Sequence, residues 1–237
     1  MKRLLLTFIE EKNQVIIYFV ISLLILIFTA FLRSIEKEIF VSRLGNVNQL
    51  ISIPILSLIG LFCVTVLIHK KWFAVYAGWN AKGLRTAVWL SVVFFIVVII
   101  LDWTLRFPRE INIPFPRSLL YYPVVGFVVD VLFHIVLLTI LIFALRLLLP
   151  NISVETVLWV AIVLVALVEP VYQMVAGAAT DGWTLLVILT GVHVFLINFA
   201  QLYLFKRYDF ATMYFMRLCY YLLWHVIWGV IRLNLLF

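Results

Sequence analysis

The sequence predicts an all-α protein, a polytopic bundle of about seven transmembrane helices. Of its 237 residues, 66% are hydrophobic and only 12% are charged, and the mean hydropathy is +1.20. An ordinary globular domain cannot expose so much apolar surface to water. Because a span needs roughly 20 apolar residues, the chain has room for about seven spans and no separate soluble domain. We therefore expect residues 1–237 to form a single integral membrane domain in contact with the lipid bilayer.

Apolar runs place the seven spans. The first run is longer than a signal-peptide core and lacks a small-residue cleavage site, so it is expected to be retained as a helix. Three prolines between residues 106 and 118 preclude a regular helix before the fourth span. Asp102, near the end of the third span, is expected to be in contact with water, and Pro170 is expected to kink the fifth. The predicted spans are residues 15–32, 50–68, 87–105, 119–146, 154–178, 183–205 and 210–231.

The distribution of positive charge predicts an orientation. The net charge of +7 could suggest a nucleic-acid partner, but Lys and Arg occur in short clusters between apolar runs, so no nucleic acid is expected. The amino-terminal side holds Lys2, Arg3, Lys12, Lys70, Lys71, Lys82, Arg85, Arg146, Lys206 and Arg207, and the opposite side holds Arg33, Lys37, Arg43, Arg106, Arg109, Arg117 and Arg232. The positive-inside rule then predicts a multi-pass protein of a bacterial-type inner or plasma membrane, with its amino terminus in the cytoplasm.

Polar side chains interrupt three of the predicted spans. An ionisable group at membrane depth costs at least about 2 to 3 kcal/mol, so such groups normally face a bundle interior, a partner or a water cavity. Residues four apart on a helix lie on one side of it. We therefore expect one shared site, to which the fourth, fifth and seventh spans contribute Asp130 and His134, Glu169 and Gln173, and Arg217, Tyr221 and His225.

Each of these groups also has a purely structural interpretation. Asp130 and His134 could orient a general base or support a metal ligand, or they could neutralise each other within one helix. Glu169, beside Pro170, could line a cavity at a kink, or it could be satisfied by Arg217. Arg217 itself could extend to the membrane surface instead of pairing inside the bundle.

Other polar and aromatic residues have weaker functional signals. His225 could belong with Trp224 and Trp228 to an interfacial aromatic belt, which is the interpretation we favour for it. Histidines with carboxylates are compatible with zinc, but their spacing is not diagnostic, and no cofactor is assigned. The sixth span carries residues typical of hydrogen bonds between helices, namely His193, Asn198 and Gln201.

The segment from residue 121 to residue 233 resembles the CPBP (Abi) family of intramembrane proteases, which are related to CAAX prenyl-protein endopeptidases. The resemblance rests on Asp130-Val-Leu-Phe-His134, Glu169-Pro-Val-Tyr-Gln173 and Arg217-Leu-Cys-Tyr-Tyr221 on successive helices. The family pattern is Glu-Glu-x-x-x-Arg, Phe-x-x-x-His and His-x-x-x-Asn, and none of the three is intact here. The resemblance implies water activation by carboxylates and imidazoles and a membrane-anchored peptide or protein as substrate.

Three functions follow as hypotheses. In an intramembrane hydrolase, Glu169 or Asp130 would be the general base, His134 and His225 would position water, and Arg217 would stabilise negative charge. In a non-catalytic protein that binds a lipid headgroup, a peptide or an immunity partner, Glu169 and Arg217 would form a structural pair. A small-solute or proton transporter is the third class, because acidic and histidine residues in spans also form proton relays.

Overall fold

The computed structural model describes residues 7, 9–41, 45 and 47–237, and throughout this part of the chain the regular structure is helical. All seven long helices are long and apolar enough to cross a membrane. The predicted all-α class with seven spans is therefore confirmed. The helices are α1 (Lys12–Ile35), α2 (Gln49–His69), α3 (Ala81–Leu105), α4 (Ser118–Leu148), α5 (Val154–Asp181), α6 (Leu185–Arg207) and α7 (Phe210–Leu235).

Capping side chains fix several helix starts. Asn80 accepts a hydrogen bond from the Gly83 backbone, so α3 begins six residues before the predicted position. Thr184 accepts from the backbone of Val187 and starts α6 just after the predicted position. Between α5 and α6, Gly182 has a φ of +72°, a backbone conformation that glycine adopts without strain.

Two of the seven spans are not uniform α-helices. In α4 and α7, a stretch in the middle has π-helical hydrogen bonding, a rare conformation that occurs frequently at functional sites. Asp130 and His134 lie on the first stretch, and His225 lies on the second. The π-helical stretches are Asp130–Leu137 and Leu222–Trp228.

The packing of the helices brings α4, α6 and α7 together in the interior. Helix α1 packs on α2 and on the first part of α4, α5 packs along α6 and the second part of α4, and α7 contacts α3, α4 and α6. The close approach of α4 to α7 depends on Gly126, where a Cβ atom would lie 2.9 Å from Cδ of Arg217. Helix α5 is continuous through Pro170, and the kink expected at that residue stays a prediction.

Consecutive helices cross in alternating directions, so helix ends and loops on the same side of the bundle contact each other. At the amino-terminal end, the Phe210 backbone donates to the Ala74 carbonyl. At the opposite end, Arg117 forms an ion pair with Glu36. Arg232, which the charge distribution assigned to the side opposite the amino terminus, is buried inside the bundle. Of the other charges counted there, Lys2, Arg3 and Arg43 lie outside the described residues. The cytoplasmic position of the amino terminus stays a prediction.

Candidate functional site

A buried ion pair between α4 and α7 forms the centre of the polar interior. Arg217 Nε donates to Asp130 Oδ1 at 2.8 Å, and both side chains are almost completely buried. The guanidinium also donates from Nη1 to Tyr221 Oη at 2.9 Å and from Nη2 to Gln201 Oε1 at 2.7 Å. Arg217 therefore does not extend to the membrane surface, and the possibility that it does so is wrong. All three guanidinium nitrogens are engaged inside the bundle.

His134 lies beside the same carboxylate. Its Nδ1 is 3.0 Å from Asp130 Oδ1, and its side chain is fully buried. This geometry falls short of a hydrogen bond, however, so both ring nitrogens stay without a hydrogen-bond partner within the described part of the chain, as do Asp130 Oδ2 and Gln201 Nε2. Unsatisfied polar atoms buried this deeply are uncommon and call for an explanation. Three of these four atoms belong to Asp130 and His134 on the π-helical stretch of α4, and the fourth belongs to Gln201 on α6.

Glu169 on α5 has a different environment from Asp130. Its Oε1 accepts from Gln173 Nε2 at 2.9 Å and its Oε2 from Asn198 Nδ2 at 3.0 Å. Both donors are neutral amides, and no cationic side chain among the described residues forms an ion pair with Glu169. The predicted pairing of Glu169 with Arg217 is therefore wrong, and the non-catalytic hypothesis loses the ion pair on which it was based.

Helix α6 connects the two polar groups. Asn198 binds Glu169, and Gln201, three residues later, binds Arg217. Residues three apart on a helix are neighbours on one face, so the α5 carboxylate and the α4–α7 ion pair border the same strip of α6. The predicted hydrogen bonding between helices is present at both positions. Sequence reasoning did not place these two amides in the site, although their three-residue spacing was the available signal.

His225 lies near the far end of α7 and is half-buried. Its Nδ1 is 2.6 Å from Asn112 Oδ1 in the loop after α3, and its ring stacks on Tyr122 with 4.1 Å between centroids. Trp224 and Trp228 are buried, so the predicted interfacial belt is wrong. The ring of His225 also contacts Tyr221, whose hydroxyl accepts from Arg217, with 5.0 Å between ring centroids.

A second buried ion pair ties α3 to the end of α7. Arg232 donates from Nε and Nη2 to the two oxygens of Asp102 at 2.7 and 2.8 Å, and both side chains are fully buried. Trp228 Nε1 donates to the same carboxylate at 2.7 Å. The expectation that Asp102 is in contact with water is wrong, because Arg232 and the following loop cover it. The signal in the sequence was the opposite charges at the same end of the third and seventh spans.

The polar interior does not match a metal site. Among the described residues, no group of three or more His, Cys, Asp or Glu side chains is placed to hold a metal ion. Asp130 and His134 supply two adjacent ligand types, whereas a catalytic zinc ion takes three protein ligands.

No model of a protein family, no curated protein and no solved structure matches this chain. The class of protein therefore follows from the structure alone. Seven apolar helices define a multi-pass helical membrane protein in contact with the lipid bilayer. Three carboxyls are buried inside the spans: Asp102 and Asp130 each form an ion pair with an arginine, and Glu169 forms none among the described residues.

Proposed function

We propose that this chain is an intramembrane hydrolase in which Glu169 is the general base. The observation that carries the proposal is that Glu169 is held by two neutral amides and forms no ion pair among the described residues, whereas Asp102 and Asp130, the two aspartates buried inside the spans, each pair with an arginine. An ionisable group at membrane depth is costly and is a functional candidate by default. The resemblance of the surrounding helices to the CPBP family supports the same reaction class.

The position of Glu169 fits a substrate that arrives from the lipid. The Glu169 residue is 8% exposed, and Gln173, one turn further along α5, is exposed. Tyr172 on the same turn is 70% exposed on the outer face. A membrane-anchored peptide could therefore reach the edge of the bundle sideways, and no opening through the interior is needed. Asp130 is completely buried and has no comparable access.

The proposed chemistry is the addition of water across an amide bond. Each oxygen of an ionised carboxylate has two acceptor sites, so Glu169 can accept from a water molecule while Gln173 and Asn198 orient it. Glu169 takes one proton from the water, the hydroxyl oxygen bonds to the carbonyl carbon, and the C–N bond breaks as the proton passes to the leaving nitrogen. Arg217 keeps its ion pair with Asp130 throughout. Its predicted role in stabilising negative charge is replaced by a structural one.

The test compares new protein termini in membranes of cells that produce the wild-type chain or Glu169→Gln. A general base contributes typically about 10²- to 10⁴-fold to rate, so we expect cleavage products that depend on the wild-type chain and fall at least about a hundredfold in the variant. Glu155→Gln is the matched control, because Glu155 lies on the same helix but is exposed and pairs with Lys206. Equal product levels in wild type and Glu169→Gln would contradict the proposal.

Proton conduction is a second candidate, favoured by the unpartnered atoms around Asp130. Asp130 Oδ2 and both His134 ring nitrogens are buried without hydrogen bonds, and carboxylates with imidazoles in spans form proton relays. Proteoliposomes that carry an imposed pH gradient distinguish the two functions. Proton conduction predicts a proton flux that Asp130→Asn abolishes, whereas the hydrolase predicts no flux above that of empty liposomes.

A further inference from the structure

A shallow groove on the lipid-facing surface lies between α3 and α7, away from Glu169. Its volume is about 410 Å³, and its lining is apolar except for one arginine. We call it the α3–α7 groove, and it is lined by Leu84, Arg85, Val88, Trp89, Val92 and Phe215. Arg85 lines the groove almost entirely with the aliphatic part of its side chain, and apolar side chains follow it along α3. A cation beside an elongated apolar surface matches the distribution of charge in an anionic phospholipid.

The cation is placed at the level of the lipid headgroups. Arg85 is the fifth residue of α3, on the side of the membrane where that helix starts. Trp79, just before the helix, is 81% exposed, and exposed tryptophans are typical of the membrane–water interface. From Arg85 to Val92 the helix rises by about 10 Å. The apolar part of the groove therefore descends from the interface toward the middle of the bilayer.

Arg85 is available for an anionic group. Its Nε donates to the Ala81 carbonyl at 3.3 Å, and no acidic side chain among the described residues forms an ion pair with it. Arg117 and Lys206 contrast with it, because they pair with Glu36 and Glu155. A guanidinium has five donors in a planar fork that fits a phosphate. The charge of this groove is therefore complementary to a phosphate at its interfacial end.

The walls of the groove are fixed before any ligand arrives. Ser91 Oγ on α3 donates to the Met216 carbonyl on α7 at 2.9 Å, next to Phe215 in the wall of the groove. Near the interfacial end, Gly83 packs against the ring of Tyr208, which a Cβ atom at Gly83 would approach to 3.2 Å. A preformed site loses less entropy on binding than one that must be ordered.

We propose that the α3–α7 groove binds one anionic phospholipid, with the headgroup phosphate on Arg85 and an acyl chain along Val88, Trp89 and Val92. This binding goes beyond ordinary contact with the bilayer, because it selects a headgroup charge and occupies a defined position. It is independent of hydrolysis at Glu169, so either proposal can fail without the other.

Native mass spectrometry of the purified full chain tests the proposal, with phosphatidylglycerol and phosphatidylcholine of identical acyl chains as probes. The wild type is expected to bind phosphatidylglycerol more tightly. Arg85→Gln is expected to weaken phosphatidylglycerol binding by about tenfold, because it removes a charge-assisted hydrogen bond. It is expected to weaken phosphatidylcholine binding less, because the choline cation offsets the charge of the phosphate in that lipid. Lys82→Gln is the matched control, because Lys82 is exposed one turn earlier and lies outside the groove. It is expected to change affinity by less than about twofold.

A second variant tests the acyl-chain part of the site. Val92→Trp fills the apolar end of the groove and keeps Arg85, and it alters a side chain that is already 39% exposed. It is expected to weaken phosphatidylglycerol binding as strongly as Arg85→Gln does. Three results would overturn the proposal: equal affinity of the wild type for the two lipids, equal losses in Arg85→Gln and Lys82→Gln, or full phosphatidylglycerol affinity in Val92→Trp.

Discussion

Breaking the ion pair between α4 and α7 from one side is expected to destabilise the protein strongly. In Asp130→Asn the Arg217 guanidinium stays buried without a compensating charge. At about 4 Å between charge centres, the lost attraction is about 4 kcal/mol for an effective dielectric constant near 20. Removal of one partner of a buried pair costs about 3 to 5 kcal/mol in measured cases. We therefore expect Asp130→Asn to lower the free energy of unfolding by about 3 kcal/mol or more.

The double variant Asp130→Asn, Arg217→Met separates a paired charge from general damage to packing. Because it removes both charges, we expect it to recover at least about 2 kcal/mol relative to the sum of the single variants. The assay is reversible unfolding in mixed micelles, followed by circular dichroism at fixed protein and detergent concentrations. Additive effects of the two substitutions would refute the idea that Asp130 and Arg217 stabilise the fold as a pair.

Three further predictions concern the surroundings of the ion pairs. Gly126→Ala places a methyl group 2.9 Å from Cδ of Arg217 and is expected to lower stability by about 1 to 3 kcal/mol; unfolding at wild-type denaturant concentration would contradict it. Trp228→Phe keeps an aromatic ring but removes the hydrogen bond to Asp102, and thermal unfolding should report a loss of about 1.5 to 3 kcal/mol. Gln201→Leu leaves Arg217 Nη2 without its acceptor and is expected to lower the free energy of unfolding by about 1 to 3 kcal/mol in the same assay. Unchanged stability would contradict a stabilising role for that hydrogen bond.

The sequence predicts the spans and the polar positions within them, because both are local properties. Seven apolar runs of sufficient length leave no other architecture for the chain. The partners of the polar residues are not local. Whether Arg217 binds Asp130 or Glu169 depends on the rotation of α4, α5 and α7 about their axes, which four-residue spacing does not specify. The prediction that three spans contribute to one interior site therefore did not identify the pairs.

The region around Asp102 shows a second limit of sequence reasoning. Its place near the end of an apolar run predicts contact with water, but the structure covers it with Arg232, Trp228 and the loop that begins at Phe107. The burial of a helix end depends on where the following loop packs. The π-helical stretches of α4 and α7 were also not predicted, because no distinctive sequence pattern marks them. Of the polar residues on α6, only their hydrogen bonding was predicted.

Unfolding of three amide variants side by side tests most directly whether Glu169 differs from the other two carboxyls buried inside the spans, Asp102 and Asp130. Asp102→Asn and Asp130→Asn each leave a buried arginine uncompensated and are expected to lose about 3 kcal/mol or more. Glu169→Gln breaks no ion pair among the described residues and affects only the hydrogen bonds to Gln173 and Asn198, so its unfolding free energy is expected to fall by about 1.5 kcal/mol or less. A loss in Glu169→Gln as large as in the two aspartate variants would contradict the assignment of Glu169 as the uncompensated, functional carboxyl.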